Sequence, residues 1–426
     1  MTDFESIRGP VPGARTASLL DPLRLHESRN VTYVGDDFPV FWESARGATV
    51  TDVDGNRYLD LTSAFGVANV GHANPRVVAA IHQQAASLMH GMGDVHPSEP
   101  RTRLFQRLAS IVPSGLDKMF LATTGSEAIE AAIKTAVLAT GRFGFVAYTG
   151  AYHGLSLGAL ALSGIPKFRA PFAPLIEDRT VLLDYPRAGV DTVEDALRDF
   201  RARTDDRDDI AAVVIEPIQG RGGCIVPPEG YLRGLRAQCD ERGILLVFDE
   251  IYTGFGRTGN WFACMHDDVV PDIMCIGKAM GSGFPISAAI ARAHVMDAWP
   301  RSAGEALHTS TYLGNPMGCA AAIATIDEIE RLHLIERAGE FGTALGSRLG
   351  ELRRHPDVVD VRGRGFMWGV QVTDAPNADR IVKRALRSGV IVLQAGIGGD
   401  VLSITPPLVM SDEQLYRAID ILEEVL

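Results

Sequence analysis

Short runs of apolar residues alternate with helical stretches through the middle of the 426-residue chain. Between about residue 76 and about residue 330, six such runs have the length and continuity of strands that are buried on both faces. Strands that alternate with helices in this way predict βαβ units and a mostly parallel sheet. The six runs are KMFLAT, FGFVAYT, IAAVVIE, GILLVFDE, DIMCIG and ISAAIAR.

The two ends of the chain show other patterns. Residues 1 to about 45 are interrupted by proline and glycine and predict an arm, and residues 48–63 alternate around Asp54-Gly55 as a β-hairpin does. Beyond about residue 330, one long helix over 321–355, short strands and a terminal helix predict a smaller α+β domain. We therefore predict an N-terminal arm with part of the small domain (1–75), a large domain (76–330) and a C-terminal small domain (331–426).

Composition narrows the class of protein. An apolar fraction of 46% with 22% charged residues is ordinary for a soluble globular protein. The net charge of −12 argues against nucleic acid or an anionic membrane as the main partner. The five cysteines are far apart and lack the spacing of a zinc site, so we expect free thiols, no metal and a cytoplasmic location. We expect no signal peptide, and no apolar run approaches the roughly 20 residues of a membrane span.

Polar residues follow directly after the predicted strands. In open α/β sheets, ligands bind beyond the carboxyl ends of the strands, so these residues should share one edge of the sheet. The set is Thr124-Gly125-Ser126, Tyr152-His153-Gly154, Glu216, Asp249 and Lys278.

Lys278 stands out because lysine is rare here: only five of the 41 basic residues are lysine. Arginine keeps its proton, whereas a desolvated lysine can lose it and attack a carbonyl as a primary amine. Lys278 is therefore a candidate for amine chemistry. A solvated or capping lysine in a loop is the alternative reading.

The stretch ATTGSEAIEAAIK fits the start of a helix, with Thr124 as N-cap and Glu127 completing a capping box. Gly125 lets the backbone approach a ligand closely. Ser126 and the free N–H groups at the helix start would then face an anion that the helix dipole favours. The stretch is either a phosphate cradle or a plain helix cap.

Three further residues complete a possible site. Asp249 ends a very apolar strand, where a carboxylate can stay ionised opposite a protonated ring nitrogen. Tyr152 can lay its ring against a planar cofactor, and Glu216 can orient the others. Each has a structural alternative, as a salt bridge or a core aromatic. Together, a phosphate site, a stacking ring, a buried carboxylate and a reactive amine describe pyridoxal phosphate.

With these motifs the chain resembles the class III (ω-type) aminotransferases, pyridoxal-phosphate enzymes of fold type I. The resemblance implies a large domain with a mostly parallel, seven-stranded sheet between helices, and a smaller α+β domain built from both ends of the chain. It runs from about residue 40 to the end, through DVDGNRYLDLTSAFGVANVGHANPRVVAAI, TGSEAIEAAIK, AYHGLSLGAL, IEPIQGRGG, FDEIYTGFGRTG, GKAMGSGFPISA and TYLGNPMGCAA.

The resemblance also implies roles. Lys278 would form the Schiff base and move the proton between substrate and cofactor, and Asp249 would keep the pyridine nitrogen protonated. Thr311 would reach the phosphate from a second subunit, which implies a homodimer with shared sites. The implied catalytic residues are Lys278, Asp249, Tyr152 and Glu216, and the implied cofactor-binding residues are Gly125, Ser126, Tyr152, His153, Asp249, Ile251, Lys278 and Thr311.

Three positions depart from the family pattern. Tyr252 stands where many members have a glutamine that contacts the cofactor. Arg221 stands in QGRGG where members that handle α-amino acids have a glutamate, and Ser403 replaces their carboxylate-binding arginine. We hypothesise that Arg221 takes over carboxylate recognition; the alternative is that it faces solvent. The resemblance further suggests that Trp42, Phe65 and Gly66 help to shape the pocket.

The sequence thus predicts an aminotransferase. It would move an amino group from an amine or amino acid to a 2-oxo acid, aldehyde or ketone through Lys278. A racemase, epimerase or decarboxylase of amino acids on the same fold is the alternative. A scaffold protein that kept only the fold would be expected to lack Lys278 or Asp249, and both are present.

Overall fold

A computed structural model describes residues 4–32, 37–176 and 179–426. The strands are β1 Trp42–Arg46, β2 Thr49–Asp52, β3 Arg57–Asp60, β4 Lys118–Ala122, β5 Gly144–Tyr148, β6 Thr180–Leu183, β7 Ile210–Ile215, β8 Leu245–Asp249, β9 Ile273–Ile276, β10 Ser287–Ala291, β11 Val358–Arg364, β12 Met367–Val372, β13 Val390–Ile391, β14 Leu393–Ala395 and β15 Val401–Ile404.

The helices are α1 Ala14–His26, α2 Ser63–Gly66, α3 Pro75–Ser87, α4 Glu99–Ala109, α5 Gly125–Thr140, α6 Leu157–Ala161, α7 Pro166–Arg169, α8 Val193–Thr204, α9 Tyr231–Arg242, α10 Ala293–Met296, α11 Pro316–Arg331, α12 Leu334–Gly350, α13 Ala375–Arg387 and α14 Asp412–Val425. Short 3-10 helices occupy Ala170–Leu175, Ala263–His266, Lys278–Gly281 and Glu351–Arg354. None of the described helices is both long enough and apolar enough to cross a membrane.

A seven-stranded sheet in the order β4-β10-β9-β8-β7-β5-β6 forms the centre of the large domain. Strand β10 is antiparallel to both of its neighbours, and the remaining pairs are parallel. The prediction of a mostly parallel sheet is confirmed, and all six apolar runs are strands in it. Strand β6 is the seventh; the sequence analysis missed it because its four residues, TVLL, are too short a run to stand out.

The direction of these strands positions the site. In the register of the sheet, Ile215 of β7 lies beside Phe248 of β8, and Asp249 lies beside Cys275 of β9. The carboxyl ends of the three strands therefore lie at one edge. The residues that follow them, Glu216 and Lys278, come next to Asp249 at this edge.

Both ends of the chain contribute to the smaller sheets. In one sheet β1, β2 and β3 form an antiparallel meander with its hairpin at Asp54-Gly55, as predicted, and β13 adds to β3 in parallel. In the other sheet the order is β11-β12-β15-β14. The exact domain boundaries stay a prediction.

Two predicted features differ from the structure. The N-terminal arm contains helix α1. The long helix expected over 321–355 is broken in two, because His333 takes a left-handed φ of +51° between α11 and α12. The apolar spacing of the sequence runs on through this break, so the pattern alone did not reveal it.

Candidate active site

Lys278 follows β9 and begins a short 3-10 helix. Its backbone φ is +43°, an uncommon value for a residue with a side chain. Burial lowers the pKa of its amine, while the charges of Asp249 and Glu216 act in the opposite direction. Lys278 therefore carries an amine that gives up its proton more readily than a solvated lysine does.

Asp249 and His153 form a buried pair. Oδ2 of Asp249 lies 2.7 Å from Nδ1 of His153, and Oδ1 accepts a 3.0 Å hydrogen bond from the N–H of Ile251. Burial alone would lower the pKa of His153, but the hydrogen bond to Asp249 and its charge outweigh burial and raise that pKa. The carboxylate is thereby fixed in orientation and keeps lone pairs for a further donor.

The start of helix α5 is built as the sequence predicted. The side chain of Thr124 accepts the N–H of Glu127 at 3.3 Å, and the Glu127 carboxylate accepts the N–H groups of Thr123 and Thr124. This is the expected capping box. The first N–H groups of the helix, those of Gly125 and Ser126, are of the kind that bind anions.

Gly154 and Ser126 pack tightly against each other beside this helix start. A Cβ built on Gly154 would lie 1.9 Å from Oγ of Ser126, and the φ of Gly154 is +117°. Oγ of Ser126 also accepts the N–H of Leu155 at 3.1 Å. The turn that carries Tyr152 and His153 is thus held directly on α5, and only glycine fits at position 154.

Glu216 holds two turns together beneath the site. Its Oε1 accepts the N–H of Tyr152 at 3.1 Å, and its Oε2 accepts the N–H of Gly220 at 2.7 Å. Burial raises its pKa to about 7; the charge of His153 lowers the pKa and that of Asp249 raises it. Glu216 therefore acts through the backbone positions of Tyr152 and Gly220.

Ile251 lies between the helix start and the lysine turn. A Cβ on Gly125 would come within 3.0 Å of Cδ1 of Ile251, and a Cβ on Gly277 within 3.5 Å of its Cγ2. Tyr152 is half-buried, and the edge of its ring meets Phe168 at a centroid distance of 5.7 Å. An aliphatic and an aromatic side chain are therefore both present for the two faces of a planar ring.

The residues fit pyridoxal phosphate. The structure supplies an amine at Lys278, a fixed carboxylate at Asp249 and an anion-binding helix start at Gly125. The imidazole Nε2 of His153 is buried and has no hydrogen-bond partner among the described residues, as expected of an atom beside a polar ligand.

The structure also reveals two contacts that the sequence did not indicate. One is the pairing of His153 with Asp249. The other is Tyr252, whose ring centroid lies 4.5 Å from Nζ of Lys278. The only hint of the second was that Tyr252 departs from the family pattern.

Arg221 is half-buried near Tyr152, on whose hydroxyl its positive charge acts. Its Nη1 donates to the carbonyl of Gln394 at 2.6 Å, and its own carbonyl accepts the N–H of Gly396 at 2.9 Å. Within the described ranges no carboxylate pairs with it. Ser403, the third of the departures from the family pattern, lies with its Oγ 4.0 Å from Sγ of Cys224.

The remaining predicted residues are less directly connected. Phe65 is 61% exposed, and it adjoins Gly66, which touches the ring of Tyr252. Trp42 contacts His72 edge-on at 5.8 Å. Thr311 is exposed on the surface of the single chain.

Comparisons with known proteins agree with this geometry. A family model described as "Aminotransferase class-III" matches residues 32–426. The chain is 40% identical, over 91% of each sequence, to the acetylornithine aminotransferase of Methanosarcina mazei. It is 37% identical to the 5-aminovalerate aminotransferase of Pseudomonas putida, over 92% of this chain and 94% of that one. The ornithine aminotransferase structure from Toxoplasma gondii, which has partial occupancy of pyridoxal phosphate in its active site, superimposes with a TM-score of 0.85; it is 29% identical, over 96% of this chain and 93% of that chain.

Proposed function

This chain belongs to the class III aminotransferases, which are pyridoxal-phosphate-dependent enzymes, and we propose that the residues around Lys278 are its active site. It transfers an amino group from an amine donor to a keto acid acceptor, so the prediction of an aminotransferase is confirmed. The observation that carries the assignment of the site is that the Lys278 amine, the Asp249 carboxylate and the start of α5 lie at one edge of the sheet.

When bound, pyridoxal phosphate supplies a carbonyl that takes up the amino group and a ring that delocalises the electrons of the substrate carbon. Lys278 would hold the cofactor through its amine and would carry the proton between its Nζ and the substrate carbon. Its lowered pKa supports this role, because a neutral amine is needed both to bond and to accept a proton.

The neighbouring side chains orient the cofactor. Asp249, held by His153, would accept a hydrogen bond from the protonated ring nitrogen, and Ile251 and Tyr152 would pack against the two ring faces. Gly125 and Ser126 would bind the phosphate through the helix start. Glu216 positions Tyr152 through its backbone N–H.

The donor has its amine at one end and a carboxylate at the other. Support comes from the name of the Pseudomonas relative, since 5-aminovalerate has this form. It also comes from Arg221, a guanidinium near Tyr152 that has donors to spare and no described carboxylate partner. Such a group binds carboxylates with two parallel hydrogen bonds.

The enzyme is a homodimer in which Thr311 of one subunit binds the phosphate in the other. Two neighbouring segments, 89–95 and 307–315, support this, since Asn315 donates to the Met89 carbonyl at 3.1 Å and both segments carry exposed apolar side chains. Such a patch suits a subunit interface. The exposed residues are Met89, Met92, Val95, Leu307 and Tyr312. A cytoplasmic location is consistent with five cysteines that are free and buried.

A half-reaction tests the site. Single donors, including 5-aminovalerate, are added to the yellow enzyme without acceptor, and the absorbance is followed. We expect the yellow colour to fade with ω-amino acids in the wild type, and Lys278→Ala to lose about 10³-fold or more of the rate. Borohydride reduction followed by peptide mapping should place the cofactor on Lys278. Labelling of another lysine would overturn the assignment.

Subunit sharing has its own experiment. Lys278→Ala homodimers are mixed with Thr311→Ala homodimers to form hybrid dimers. If sites are shared, one site of the hybrid keeps both residues, and activity recovers above that of either parent. If Thr311 serves its own subunit, every site in the hybrid is defective and no recovery follows.

A further inference from the structure

Tyr252 is an aromatic contact of the Lys278 amine. Nζ of Lys278 lies 4.5 Å from the ring centroid, well within the distance at which an ammonium group is attracted to an aromatic face. Among the described residues, Nζ makes no hydrogen bond or ion pair closer than this. The charges of Asp249 and Glu216 act on it from a distance.

The ring of Tyr252 is wedged in place from both edges. A Cβ on Gly66 would lie 2.1 Å from its Cε2, and a Cβ on Gly220 would lie 2.3 Å from its Cδ1. The two glycines therefore allow the backbone to close on the ring from opposite sides. Any larger residue at either position would clash with the ring.

The hydroxyl of Tyr252 also holds the ring in place. It lies 3.0 Å from Oγ1 of Thr405, and that oxygen in turn donates to the carbonyl of Thr62 at 3.3 Å. Tyr252 is therefore the donor to Thr405. The ring has neither room to slide nor freedom to turn, so its face toward Lys278 is a fixed feature of the pocket.

We propose that the Lys278 nitrogen lies against the ring face of Tyr252 whenever that nitrogen is protonated. Tyr252 is thus a positioning residue for the lysine. This inference rests on the proposed role of Lys278. In transamination the lysine nitrogen must hold a proton for part of each cycle, and burial disfavours the charged form. An aromatic face compensates without forming the tight ion pair that would keep the proton permanently.

The titration of Lys278 in the full-length protein, freed of its cofactor, tests this. Trace acetylation with acetic anhydride at a series of pH values, followed by peptide mass spectrometry, gives a midpoint for each of the five lysines. Tyr252→Leu removes the aromatic face, and the Lys278 midpoint should fall by roughly 0.4 to 1.5 pH units. Tyr252→Phe keeps the face and should restore the midpoint to within about 0.3 units of wild type.

The same samples contain the controls. Lys134, Lys167 and Lys383 lie elsewhere, and their midpoints should not change; Lys167 is a useful reference because its Nζ lies 5.1 Å from the Phe168 ring. Thermal unfolding verifies that each variant is folded. Thr405→Val frees the hydroxyl and should shift Lys278 by less than Tyr252→Leu does.

A Lys278 midpoint that is unchanged in folded Tyr252→Leu would overturn the proposal, as would an equal fall in Tyr252→Phe. Either result leaves the role of Lys278 intact, because borohydride mapping tests that role separately. Conversely, mapping to another lysine would overturn the active-site assignment whatever the titration shows.

Discussion

Nδ1 of His153 lies 2.7 Å from Oδ2 of Asp249, although His153 follows β5 and Asp249 ends β8, and these strands are separated in the sheet by β7. The pair thus spans the middle of the site. It keeps a buried carboxylate oriented at the point where the cofactor's ring nitrogen would bind.

Asp249→Asn should weaken cofactor binding. The amide keeps the shape but removes the charge, so both His153 and the ring nitrogen lose a charge-assisted hydrogen bond worth about 1.5–3 kcal/mol. We expect the dissociation constant of pyridoxal phosphate to rise roughly 10- to 150-fold. Absorbance titration measures this, and NMR titration should show a lower pKa for His153. An unchanged His153 pKa would contradict the pairing.

Glu216 should make stability depend on pH. Burial raises its pKa to about 7 in the folded state, above that of an unfolded glutamate. The folded state therefore binds the extra proton, and the stabilisation that this gives is complete below about pH 4.5 and is lost as the pH rises through about 7. Glu216→Gln lacks this dependence. As the pH rises, the unfolding free energy of wild type relative to that variant should fall by up to about 1.4 kcal/mol per pH unit.

Denaturant unfolding of both proteins between pH 5 and pH 8 measures the difference. Because the charges of His153 and Asp249 act on the pKa of Glu216, the comparison is repeated in the Asp249→Asn background. A gap between wild type and Glu216→Gln that stays constant over this range would show that Glu216 is ionised throughout.

Arg221→Gln should discriminate between substrates. Loss of a charged hydrogen bond to a substrate carboxylate should raise KM for ω-amino acids roughly 10- to 150-fold, and KM for amines without a carboxylate should stay near the wild-type value. Steady-state kinetics with paired substrates, such as 5-aminovalerate and pentylamine, measures this. Arg207→Gln, which removes an exposed arginine paired with Asp209, is the control. Unchanged affinity for every acidic substrate would refute the role of Arg221.

Gly154→Ala should disturb the phosphate-binding turn. Its Cβ would clash with Oγ of Ser126, and its φ of +117° is strained for alanine. We expect a loss of about 1–3 kcal/mol in unfolding free energy together with weaker cofactor binding. Gly189→Ala is a matched control, since that glycine also has a positive φ, +78°, but nothing lies within 4 Å of the added Cβ. It should lose stability without losing cofactor affinity.

The sequence predicted the sheet well because its central strands are buried on both faces and therefore read as unbroken apolar runs. Asp249 and Lys278 followed from that, since Asp249 ends one such strand and Lys278 comes directly after another such run. The capping box at Thr124 is a local motif and was visible for the same reason.

Tertiary contacts could not be predicted from the sequence. The wedging of Tyr252 depends on Gly66 and Gly220, which are far apart along the chain and carry no periodic pattern. The break at His333 depends on a single backbone angle inside an otherwise helical stretch. The surroundings of Arg221 depend on Gln394, whose carbonyl accepts its hydrogen bond.

The contact of Ser63 with Thr405 has a consequence for how the protein is made. The Ser63 hydroxyl donates to the Thr405 carbonyl at 2.6 Å, across 342 residues of sequence. On the ribosome, the large sheet can therefore form before Thr405 has been synthesised, while the turn at Ser63 waits for its partner. A nascent chain halted before residue 405 should contain Lys278 and the large sheet but lack the contacts of Thr405 with Ser63 and Tyr252. Binding of the cofactor is therefore expected to come late in synthesis.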